Sequence, residues 1–180
     1  MKRVMWLWMG LALGVAGSSA WGAAMVTKGA NEVAVGGKLD FATATGTDLV
    51  LDVKYAYFIL DRLSMGARVT LHNNDAMNHF GVGATGEYNF DLPEGYKPMF
   101  GTDLVPYLGV AVDYRHAKLF DEKEGAVVFG AEGGLKFFLT DTTAVTLSLV
   151  GELATEDIYA DDLDATDKDL SLRMGMRFYF

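Results

Sequence analysis

From residue 32 onward, apolar and polar residues alternate in eight stretches, at roughly 32–41, 49–60, 65–72, 79–90, 105–116, 127–139, 144–154 and 170–180. A period of two puts successive side chains on opposite faces of a strand. One face of the first three stretches reads Val33, Val35, Leu39, Phe41; then Leu49, Leu51, Val53, Tyr55, Tyr57, Ile59; then Met65, Ala67, Val69, Leu71. The next three read Phe80, Val82, Ala84, Tyr88, Phe90; then Leu108, Val110, Val112, Tyr114; then Val127, Phe129, Ala131, Leu135, Phe137, Leu139. The last two read Val145, Leu147, Leu149, Leu153 and Leu172, Met174, Met176, Phe178, Phe180. No Asp, Glu, Lys or Arg falls on this face in any stretch.

The opposite face holds the charge of these strands. Its acids are Glu32, Asp40, Asp52, Glu87, Asp113, Glu132 and Glu152, and its bases are Lys38, Lys54, Arg68, Arg115, Lys136, Arg173 and Arg177. A solvated surface needs no such balance. A closed interior does, because an unpaired buried charge costs several kcal/mol. The pattern predicts an all-β fold, an eight-stranded antiparallel up-and-down transmembrane barrel, apolar outside and charged inside. An antiparallel sheet packed against other apolar elements would alternate in the same way. It would not explain the balance, and no helical pattern remains to cover the apolar face.

Aromatic residues and connections sort by strand end. If the first strand leaves the periplasm, Tyr55, Tyr57, Tyr88, Phe90, Phe137, Phe178 and Phe180 fall near the lower rim, and Phe41, Phe80, Tyr114 and Phe129 near the upper. Two aromatic girdles mark the interfaces of an outer-membrane barrel. The lower turns around Asp61–Ser64 and Thr140–Thr143 are short. HNNDAMN, LFDEKEGA and the acidic stretch Thr155–Asp169 are expected as upper loops. The long lower connection Asp91–Leu104 is expected to form a small periplasmic flap.

The first residues change the picture of location. Lys2 and Arg3 precede an apolar run from Val4 to Ala16, followed by small residues. This reads as a signal peptide over 1–24, cleaved near 20–24, with 25–180 as the barrel. The alternative, an uncleaved anchor, needs a longer run than this. The chain has no cysteine, so neither a disulfide nor lipid attachment at cysteine is available. Its formal net charge of −9 becomes about −11 without the signal and excludes nucleic acid as the expected partner.

With its signal peptide, eight alternating stretches, VPYLGVAVDYR (Val105–Arg115) and terminal RMGMRFYF, the chain resembles the small bacterial outer-membrane β-barrel proteins of the outer membrane protein X and opacity-protein type. The family pattern Pro-Tyr-x-Gly-x-Gly-x-x-Tyr is matched in part, with Ala111 in place of the second glycine. The resemblance implies a bacterial outer-membrane location, with membrane lipids and lipopolysaccharide as surroundings. It also implies an assembly signal at Met176, Phe178, Tyr179 and Phe180, read by the barrel-assembly machinery.

Candidate chemistry is sparse. GVGATG (Gly81–Gly86) matches a dinucleotide fingerprint, but a strand rather than a helix follows it, and inward glycines more simply make room for charged neighbours. No cofactor is expected. Of the histidines, His116 faces lipid without a serine beside it, and His72 and His79 flank a loop as solvated rim residues, so no catalytic set is expected. The acidic loop with Glu156, Asp157, Asp161, Asp162, Asp164, Asp167 and Asp169 misses the calcium-loop spacing. It reads as solvated, with weak calcium or magnesium binding as the alternative. The expectation is a monomeric barrel, without catalysis, serving envelope integrity or surface interaction. A narrow channel for small solutes and a lipid-modifying enzyme are the alternatives.

Overall fold

A computed structural model describes residues 25–43, 46–73, 77–92, 103–119, 122–161 and 164–180. The alternating stretches form β1 (Asn31–Thr43), β2 (Gly46–Leu60), β3 (Leu63–Asn73), β4 (Met77–Asn89), β5 (Asp103–Leu119), β6 (Glu122–Thr140), β7 (Thr143–Ala154) and β10 (Lys168–Tyr179). Each pairs antiparallel with its neighbours, and β1 closes on β10 to complete an eight-stranded barrel. The remaining pair, β8 (Tyr159–Asp161) and β9 (Asp164–Thr166), is a separate small hairpin. There is no helix among the described residues.

The core is inverted relative to a water-soluble barrel. Val110 is 66% exposed and Leu172 61%, while Glu32, Arg115 and Lys136 are at 0%. Such a surface is stable only where the surrounding medium is apolar, and the eight barrel strands, of 11 to 19 residues, are long enough for the roughly 9–11 needed to cross a bilayer.

The lower connections are tight. Asp61 and Arg62 join β2 to β3, with Arg62 at a φ of 69°, a left-handed conformation that reverses the chain in two residues. Asp141 and Thr142 join β6 to β7. At the other end, Leu119 and Glu122–Ala126 of LFDEKEGA are strand, and Phe120 and Asp121 lie outside the described residues. The β5–β6 ladder runs on to Leu119↔Glu122, so these residues extend a long hairpin. Lys118, Glu122, Lys123 and Glu124 give no apolar alternation, which is why the pattern hides these strand ends. The acidic stretch likewise holds strand: it contains β8 and β9, and β10 starts at Lys168. Most of the expected flap lies outside the described residues; Asp103 and Leu104 belong to β5.

The closing seam differs from the others. The β1–β10 register runs from Glu32↔Tyr179 to Gly37↔Met174, although β1 continues to Thr43 and β10 begins at Lys168. Gly36 and Gly175 face each other there, and a Cβ on Gly175 would lie 2.9 Å from the Val35 carbonyl oxygen.

Candidate functional site

Four layers stack along the interior. At the end carrying the described termini, Val26, Ala30, Phe58, Val105, Phe138, Ala144 and Tyr179 form an apolar plug. The segment before β1 is tied across this mouth. Its Gly29 N–H donates to the Phe58 carbonyl at 2.9 Å, its Lys28 N–H donates to Asp61 Oδ1 at 2.8 Å, and its Val26 carbonyl accepts from the Arg62 N–H at 2.7 Å. Gly29 sits at a φ of 95°, a conformation that lets the segment turn back into β1.

Above the plug lies a tier of three acids and three bases: Glu32, Glu87 and Glu132 with Lys54, Lys136 and Arg177. Lys54 Nζ is 2.7 Å from Glu32 and 2.8 Å from Glu87, and Lys136 bridges the same two carboxylates. Arg177 Nη1 touches both as well, at 2.7 and 2.6 Å, and its Nη2 lies 3.6 Å from Glu132. The Tyr107 hydroxyl donates to Glu132, and the ring lies beneath the Arg177 guanidinium at 4.5 Å. Gly134 on β6 leaves the space for that ring: a Cβ there would lie 2.9 Å from Tyr107 Cε1.

A second tier uses arginine alone as cation. Arg68 forks onto Asp113, Arg115 joins Asp113 at 2.9 Å and Glu152 at 3.0 Å, and Arg173 joins Asp52 at 2.8 Å and Glu152 at 2.9 Å. Planar guanidinium forks allow one carboxylate, Glu152, to serve three arginines. Thr70 donates to Asp52 and Ser171 to Asp169, occupying remaining acceptor sites. The glycines of the GVGATG stretch make this possible. A Cβ on Gly81 would lie 2.6 Å from Arg115 Cγ, and one on Gly83 would strike Asp113 and the Val112 carbonyl. Between the tiers is a cavity of about 60 Å³, lined by Asp52, Lys54, Arg68, Glu132, Arg173 and Arg177 among others.

At the upper mouth the acidic loop folds inward. Ile158 packs on Ala126 and Val128, and the Tyr159 hydroxyl accepts from Arg115 Nη1 at 2.8 Å and donates to Glu152 Oε2 at 3.2 Å. Burial, reinforced by the Glu152 carboxylate, pushes the Tyr159 phenol above its ordinary value, which keeps it a neutral donor. The loop is anchored beside β6 by the Thr155 N–H donating to the Val127 carbonyl at 3.0 Å. His72 and His79 are not solvated rim residues. They sit directly opposite each other in the β3–β4 register, both buried, with ring centres 4.7 Å apart, and His79 also meets the Tyr159 ring edge-on.

The structure thus gathers twelve of the fourteen inward charges named above into the two tiers; Lys38 is half-buried near the upper end of β1, and the side chain of Asp40 lies outside the described residues. Of the terminal set, Met176 and Phe180 are exposed on the outer face and Phe178 is partly exposed, while Tyr179 is buried against Phe58 and Phe138. His116 is on the exposed outer face. In the acidic loop Glu156 and Asp157 are exposed, Asp161 and Asp164 pair across the β8–β9 hairpin, Asp167 is half-buried, and Asp162 lies outside the described residues. No group of three or more His, Asp or Glu side chains suited to a metal ion occurs among the described residues. Pattern reading missed Phe58, Tyr107, Phe138 and Tyr159 as interior residues. The first three carry a signal, since each lies on the charged parity of its strand.

No family model matches the chain, and no curated protein matches it in sequence. In structure it is similar to the N-terminal β-barrel domain of Pseudomonas aeruginosa OprF, with a TM-score of 0.60, 13% identity, and coverage of 85% of this chain and 98% of that one. It is also similar to Neisserial surface protein A, with a TM-score of 0.55, 15% identity, and coverage of 84% and 95%. At these identities the likeness is one of fold. It defines the class: a small eight-stranded β-barrel of the outer-membrane type.

Proposed function

We propose that this is a monomeric integral protein of the bacterial outer membrane, without catalytic activity, whose closed interior is structural. Its role lies in envelope integrity or in interactions made by the upper loops. The observation that carries this reading is the stacking of apolar plug, two ion-paired tiers and Tyr159 loop along the interior, with a cavity of about 60 Å³ between the tiers. Eight strands enclose an interior that side chains can fill, and here they are paired charges. Outer-membrane lipids and lipopolysaccharide would surround the apolar wall, and the barrel-assembly machinery would read the strand holding Met176, Phe178, Tyr179 and Phe180.

A narrow channel is the second reading. It is favoured by the charged side chains that reach the same cavity, Lys54 and Arg173 among them. Location and fold are tested by extracting the outer-membrane fraction and comparing unheated with boiled samples on a gel. A mobility shift is expected. Absence of both the shift and membrane association would end this reading. An unchanged lipid A mass after expression is expected for a protein that does not modify lipid.

A further inference from the structure

The closing seam is paired along only part of its length. Among the described residues the β1–β10 ladder runs from Glu32↔Tyr179 to Gly37↔Met174 and ends there. Continued in the same register, residues 38–43 of β1 would face residues 173–168 of β10 one for one, so stagger between the strands does not account for the short ladder. Instead β1 stays with β2 as far as Thr43↔Gly46, and β10 stays with β7 from Lys168↔Leu153. The wall parts between them. A strand edge opened in a bilayer needs water or a polar head group to satisfy its N–H and C=O groups.

The interior cavity lies against this opening. Residues 34–37 of β1 and 173–177 of β10, where the ladder ends, form one side of it. Four bases, Lys54, Arg68, Arg173 and Arg177, line it against two carboxylates, Asp52 and Glu132, which favours an anion. Arg177 is 3% exposed, yet its Nε has no hydrogen-bonding partner. A buried donor without a partner is costly and points to a missing acceptor. Lys38, half-buried on the β1 edge, has a partner of its own and contributes no ligand. On the outer side of the opening, Leu170, Leu172 and Met174 of β10 are exposed.

We propose that this seam is a lateral portal through which the carboxylate of a single-chain fatty acid enters the cavity, its alkyl tail staying in the bilayer against Leu172 and Met174. The cavity sets the size of the head. Its volume of about 60 Å³ holds about four waters, enough for a carboxylate and too little for a glycerophosphate or sugar-phosphate head. Arg177 Nε supplies the waiting donor, and the other three bases supply the positive field. The tail has an apolar path along the outer face of β10, and the head has a charged one inside it.

Two measurements on the refolded full barrel in neutral detergent test this. The chain has no cysteine, so introduced pairs report on the seam alone. Val35→Cys with Met176→Cys, opposed inside the ladder, should form a disulfide on oxidation. Leu39→Cys with Leu172→Cys, the matching positions beyond the end of the ladder, should cross-link at least about tenfold more slowly. Palmitate labelled with ¹³C at the carboxyl should give one saturable bound resonance per chain. Its labelled methyl ester and dodecyl phosphate should not bind, and Ala34→Leu, which fills the cavity from β1, should abolish the palmitate signal. The wild-type titration and the cross-linking rates decide even where Ala34→Leu fails to refold. Equal cross-linking of the two pairs, no bound palmitate in the wild type, or equal uptake of the ester or the phosphate would overturn the proposal.

Discussion

Through one nitrogen, Nη1, Arg177 lies 2.7 Å from Glu32 and 2.6 Å from Glu87, joining β10 to β1 and β4 across the barrel interior. All three side chains are buried. Replacing Arg177 with Met therefore leaves three carboxylates of the tier, Glu32, Glu87 and Glu132, with two cations, Lys54 and Lys136. The expected cost is about 3–5 kcal/mol, read as a lower urea midpoint in lipid or detergent. Adding Glu87→Gln to that variant should recover part of the loss, because the pair is removed together. Unfolding identical to the wild type would refute the structural role of the tier.

The inward glycines make a second, sharper expectation. Gly83→Ala places a Cβ against Asp113 and the Val112 carbonyl, whereas Gly86→Ala on the same strand meets only Val110 Cγ2 at 4.0 Å. The first should lower the fraction of barrel that refolds, and the second should not. Heat-modifiable mobility on a gel measures both. Equal yields would mean that the Arg68–Asp113 fork tolerates displacement.

Tyr159 holds the acidic loop in the mouth through Arg115 and Glu152. Tyr159→Phe should cost about 0.5–1.5 kcal/mol in loop docking. Tyr159→Ala should go further, freeing the already exposed stretch around Glu156 and Asp157 for faster limited proteolysis while the barrel stays intact. A cleavage rate unchanged in Tyr159→Ala would show that the loop is held by other contacts.

The strand ending at Tyr179 is the expected assembly signal. Deleting Phe180 should leave the protein in the periplasm, detected by fractionation. Normal insertion of the shortened chain would remove that assignment.

The wall was legible because period-two alternation between lipid and lumen is imposed at every residue of a spanning strand, as in Leu172–Arg173–Met174. The charged interior was legible for the same reason, since Glu32, Lys136 and Arg177 each fall opposite the apolar set of their own strand. Interior aromatics were harder to see. Phe58, Phe138 and Tyr179 each follow an outward aromatic, Tyr57, Phe137 and Phe178, and so merge with the girdle in sequence. The inward fold of Ile158–Tyr159 left almost no trace, because two apolar residues in an acidic stretch find their partners only through Val128, Arg115 and Glu152 on other strands. His72 and His79 read as rim residues because inclusion in the interior depends on how far β3 and β4 extend, which alternation does not set.

Planar-bilayer recording of the purified, refolded wild-type protein tests the closed interior most directly. With the plug, both ion tiers and the Tyr159 loop in place, no sustained conductance step is predicted. A stable, long-lived conductance from the intact protein would contradict the account and establish the interior as a pore.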